Sequence, residues 1–89
     1  MKAVVTVTGK DKTGIIAKVS SFLSEQNVNI EDISQTIMGE YFAMIMIADV
    51  SEVKQELACL ARECADFGKQ IGMSVYLQHE DIFNAMHNV

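Results

Sequence analysis

Nowhere in these 89 residues does an apolar run approach the roughly 20 residues that a membrane-spanning helix requires. No charged-then-apolar leader opens the chain either, because Met1-Lys2 runs straight into alternating residues. A cytoplasmic protein with no membrane partner is therefore expected. Positive charge is also scarce. The seven basic residues are Lys2, Lys10, Lys12, Lys18, Lys54, Arg62 and Lys69, scattered among 12 acidic ones for a net charge of −5. Nucleic-acid binding needs a basic face that neutralises several phosphates, so DNA and RNA are disfavoured as partners.

Chemistry-bearing side chains are few. The two cysteines, Cys59 and Cys64, are five apart in what reads as one helix, where they point in different directions. They form neither a disulfide nor a CxxC metal site, and they read as small core-filling thiols. Both histidines, His79 and His87, stand in the last eleven residues with no serine or cysteine at a readable spacing. The acidic pairs Glu31-Asp32 and Glu80-Asp81 are adjacent. Neighbours in a strand point to opposite faces, so the first pair is no acid–base dyad, and the second favours a helix start through the dipole. No catalytic set can be assembled: the expectation is no enzyme, no metal and no cofactor.

The chain is 49% hydrophobic, which argues against disorder, and its length suits one domain over 1–89, a core at 1–78 and a helical tail at 79–89. Residues 2–8 alternate as a strand, with Ala3, Val5 and Val7 on one side. Between 14 and 26, Ile15, Ile16, Val19, Phe22 and Leu23 form one helical stripe. Thr13 or Asp11 can cap that helix, and Asn27 suits its left-handed stop. A second strand at 28–38 slips its alternation between Ile30 and Ile33, which reads as a β-bulge. Gly39 then turns a hairpin into a third strand at 41–49. Ser51 caps a second helix at 52–67, closed by Gly68; a fourth strand follows at 72–78. A tail helix from Glu80 or Asp81 carries Ile82, Phe83 and Met86 on one side.

The order βαββαβ plus a C-terminal helix predicts an α+β fold, the ferredoxin-like sandwich with a four-stranded antiparallel sheet. Two helices should cover one face, with the first and third strands central. The third strand is apolar on both sides, and Phe42, Met44 and Met46 are expected on the face away from the two helices, under the tail or a second dimer. The second strand should be an edge whose unpaired backbone suits pairing between two copies, giving a dimer or larger homo-oligomer.

Fold order alone does not assign function. An acylphosphatase-like site needs an arginine in the loop before the first helix, and the sole arginine, Arg62, lies elsewhere. A metallochaperone needs a CxxC there. An RNA-binding version needs basic and aromatic residues on the central strands. None of these is present.

Two short motifs remain. Asp11-Lys12-Thr13-Gly14-Ile15 opens the first helix, and Asn27-Val28-Asn29-Ile30 leads into the second strand, with 14 residues between Gly14 and Asn29. Together they resemble the D/R-x-x-G-ϕ loop and the G-x-N-I strand approach of the ACT domain family, over almost all of the chain through residue 78. The small single-ACT bacterial proteins, and half of the two-ACT transcriptional repressor of the glycine cleavage system, look most similar. The resemblance implies a regulatory module that binds an amino acid or similar small metabolite between two protomers. By position, Asp11, Gly14 and Ile15 of one protomer would meet Asn29 and Ile30 of the other. Asp11 would take the ammonium group, Asn29 would bridge, and N–H groups after Gly14 would hold the carboxylate. The alternative is a protein–protein interaction module whose ligand site is vestigial.

Overall fold

The computed structural model describes residues 1–10 and 13–87. The elements are β1 (Lys2–Lys10), α1 (Ile15–Glu25), β2 (Asn29–Met38), β3 (Tyr41–Asp49), α2 (Leu57–Ile71), β4 (Ser74–His79) and α3 (Glu80–His87). The four strands form one sheet in the order β2-β3-β1-β4, all neighbours antiparallel. This is the expected ferredoxin-like sandwich, with β1 and β3 central and β2 at an edge.

The local stops follow from backbone chemistry. Asn27 takes a positive φ of 63° after α1, and the Asn27 and Val28 N–H groups donate to the carbonyls of Ser24 and Leu23. Those two bonds make a Schellman stop. The bulge falls where the alternation slips: the β2–β3 register skips Glu31 between Ile30 and Asp32.

The second helix departs from expectation at both ends. It begins at Leu57, not at 52, and Ser51 does not cap it. The Ser51 N–H instead donates to the Asp49 carboxylate at 2.8 Å, and its hydroxyl accepts from the Met1 amino group at 2.9 Å. Asp49 and Ser51 thus compete locally for the backbone that a helix at 52 would need. At the other end Gly72, with φ 73°, is the stop, and Gly68 lies one turn inside. Gly68 is required for close approach: a Cβ there would meet the Met73 carbonyl at 2.7 Å and Val75 Cγ2 at 2.9 Å. The helix therefore packs its backbone onto β4.

The core lies between the sheet and the two main helices. Val5, Val7, Met44, Met46 and Val75 from the strands meet Val19, Leu23, Leu60 and Cys64 from the helices, all buried. Full burial of one such aliphatic side chain stabilises by about 1.5–3 kcal/mol. Phe22 and Phe67 stack at 4.3 Å, with ring planes 9° apart, and join α1 to α2.

This packing corrects one expectation. Phe42, Met44 and Met46 face the two helices in the core, not away from them. The register explains it: Met44 and Met46 stand opposite Val7 and Val5, whose stripe the helices cover. The helix-free face carries Ala43, Ile45 and Ile47 instead, and α3 lies across it against β1 and β4. Among the described residues, no helix is long and apolar enough to cross a membrane.

Candidate functional site

The start of α1 is set by Gly14, which holds a left-handed conformation (φ 82°, ψ 7°) at the N-cap with no side-chain cap. Thr13 therefore does not cap this helix, and Asp11 lies outside the described residues. Glycine accepts this backbone angle at little steric cost. Among the described residues, a Cβ at Gly14 would meet nothing within 4 Å. The first turn of a helix has N–H groups with no carbonyl partner inside the helix, and among the described residues no side chain caps them.

Ile15 has a different place from that of a side-chain contact. It is 3% exposed and belongs to the core, so only its backbone N–H can serve a ligand. Gly9, just upstream, lies against the end of the Met73 side chain, and a Cβ there would stand 2.6 Å from Met73 Sδ.

Asn29 is exposed at the first position of β2, opposite Asp49, and Ile30 follows half-buried opposite Ala48. Directly opposed residues share a face, so Asn29, Asp49 and Lys2 form a polar row across three strands on the helix-free side. Lys2 also pairs with the bulged Glu31, and that hydrogen-bonded carboxylate raises the Lys2 pKa above its usual 10.5. Hydrogen bonds from the Ser51 hydroxyl and N–H hold Asp49 below its usual 3.8. Sequence reasoning missed this cluster, because Lys2 and Glu31 are 29 residues apart and only the sheet register joins them.

The structure brings Gly14 to Ile15 and Asn29 to Ile30, but the two pairs stand at opposite ends of one chain. β1 ends at Lys10 beside Tyr41, and α1 then runs back toward the Asn29–Asp49 end. The 11 residues of α1 separate the ends by roughly 16 Å at 1.5 Å per residue. A small hollow of about 220 Å³, lined by Thr8, Gly9, Thr36, Met38 and Tyr41 among others, lies at the Lys10 end of the sheet. Among the described residues, no three His, Cys, Asp or Glu side chains converge as a metal site would need.

The model of the ACT domain matches residues 2–78. The chain belongs to the ACT domain family. A UPF0237 protein of Methanocaldococcus jannaschii is 50% identical over 88 residues, which span 99% of this chain and 98% of that one. An ACT domain protein from Streptococcus pneumoniae superposes with a TM-score of 0.83 at 44% identity, covering 98% of each chain. A protein provisionally assigned as a glycine cleavage system transcriptional repressor shares the fold, with a TM-score of 0.75 at 22% identity over 86% of this chain and 45% of that one. In this ACT domain, then, Gly14 and Asn29 stand toward the two ends of the sheet.

Proposed function

We propose that this chain is a regulatory, non-catalytic ACT module of the cytoplasm, one domain over 1–89, that binds an amino acid or similar small metabolite between two protomers. The observation that carries this reading is the helix start at Gly14, with its left-handed glycine and, among the described residues, no side-chain cap. Unpartnered N–H groups at a helix start favour a carboxylate. Asp11 takes the ammonium group, the Ile15 N–H helps to hold the carboxylate, and Asn29 and Ile30 of a partner close the site. A second protomer is needed because one chain sets Gly14 and Asn29 at opposite ends of α1. Edge strand β2 is the element through which two copies would pair.

The second reading, an interaction module with a vestigial site, is favoured by the exposed apolar residues Ile33, Ile37 and Met38 along β2. Thermal-shift measurements over the common amino acids separate the two. Ligand at about 100 times its dissociation constant adds about 2.7 kcal/mol of stability. Asp11→Ala or Asn29→Ala, each removing a hydrogen bond to a charged group, should weaken binding roughly ten- to a hundredfold. A flat response to every amino acid at millimolar concentration rejects the ligand-binding reading.

A further inference from the structure

A second concavity lies far from the Gly14 loop, between α3 and the helix-free face of the sheet. Its volume is about 400 Å³, and it is lined by Thr6, Ile45, Tyr76, Gln78, Phe83 and Met86. The floor is built by register. Thr6 of β1 stands directly opposite both Ile45 of β3 and Tyr76 of β4, so three strands contribute one row. Val4, two residues before Thr6 on the same face of β1, is 3% exposed. Phe83 and Met86 of α3 form the roof, and the Gln78 amide donates to Met86 Sδ at 3.5 Å.

The concavity opens to solvent, and Ile45, Tyr76 and Met86 of its lining are exposed. Small-molecule sites are commonly about 300–1,000 Å³ in volume, mostly apolar, with a few fixed polar groups. The lining here fits that description. Among the described residues, the lining carries no ionisable carboxylate, amine or imidazole, and its polar groups are the Thr6 and Tyr76 hydroxyls and the Gln78 amide. A charged ligand would lose hydration without a counter-charge in return. Tyr76 offers a ring face, and Ile45 and Met86 offer adaptable apolar contact.

We propose that the α3–sheet cavity is a second binding site, for an uncharged, largely ring-based small molecule with one or two hydrogen-bonding groups. The ring lies between the Ile45–Thr6–Tyr76 row and the α3 roof, and its polar group meets Thr6 or Gln78. This site is independent of the Gly14 site, so a failed amino-acid screen leaves it standing.

The test is a fluorescence titration of the full-length protein with N-phenyl-1-naphthylamine, a neutral aromatic probe that brightens in apolar surroundings. Wild type should saturate at one probe per chain. Ile45→Glu, which sets a carboxylate into the lining of a half-exposed position, should weaken binding at least tenfold. Ile33→Glu, on the opposite face of the sheet, should leave it within twofold, and circular dichroism should show both variants folded. The proposal is overturned if wild type shows no saturable signal, or if the two variants lose affinity equally, which would mean non-specific adsorption. It is also overturned if probe binding falls as protein concentration rises while light scattering shows a growing mass, since a second copy then fills the cavity.

Discussion

Strands β2 and β3 are the two arms of one hairpin, paired without interruption from Asp32–Ile47 to Met38–Tyr41. On β3 every second residue from Phe42 to Ala48 is buried under the helices. On β2 the residues facing the same way are Ile33 opposite Met46 and Ile37 opposite Phe42, and they are 42% and 57% exposed. The chemistry of the two stripes is alike; the cover is not. The helices bury the β3 stripe and the start of β2 at Ile30, and leave Ile33 and Ile37 exposed. Apolar residues on an uncovered edge cost solubility and invite pairing, which a protein normally avoids with charge or proline. Here β2 keeps isoleucines, and the difference marks it as the place where a second surface would sit.

The largest effect expected from this contrast is on stability. Met46→Ala empties a fully buried position and should cost about 2–5 kcal/mol in chemical denaturation. Ile33→Ala, its cross-strand partner, should cost a monomer only about 0.5 kcal/mol, as surface substitutions do. Equal losses at the two positions would mean that β2 is covered, and the contrast would vanish.

The next effect is on association. Ile33→Glu combined with Ile37→Glu places carboxylates along the edge and should convert a dimer to a monomer at tens of micromolar, read by light scattering. The melting temperature of the separated chain should move little. A wild-type protein that is already monomeric at that concentration removes the inter-protomer site as well as the role given to β2.

How far the sequence revealed this can be judged residue by residue. The strand order, the bulge at Glu31 and the left-handed Asn27 were legible, because alternation and turn chemistry are local signals. The facing of β3 was not. Both of its stripes are apolar, so periodicity could not say which side the helices cover, and only pairing with Val5 and Val7 decides it. The start of α2 was misread because serine before an apolar stripe signals a cap equally well for a helix or for a turn. At the candidate site, Gly14 could be identified from the loop pattern. Its separation from Asn29 followed only from the direction of α1. The cavity under α3 had no sequence signal, since Thr6, Ile45 and Tyr76 are joined by register alone.

The smallest effect concerns how the two hairpin arms are anchored at their shared end. The last residue of β3, Asp49, accepts the Ser51 N–H at 2.8 Å and lies 3.8 Å from the Met1 amino group. The same end of β2 is tied by the Lys2–Glu31 pair, outside the β3 ladder. Because those hydrogen bonds lower the Asp49 pKa in the fold, its contribution is present above the usual value of 3.8 and is lost as pH falls through the folded value. Lys2 has the opposite sign: its raised pKa means that its contribution is intact below 10.5 and is lost only at higher pH. Asp49→Asn keeps an oxygen that can accept the Ser51 N–H and removes only the charge. The variant should therefore melt a little below wild type at pH 6, and the gap should close as both are acidified below pH 4. Lys2→Met should show a gap that is the same at pH 6 and pH 8, because the Lys2 amine keeps its charge throughout that window. A gap for Asp49→Asn that stays constant down to pH 2 would show that the β3 end is held by packing alone, and that the two arms are anchored in the same way.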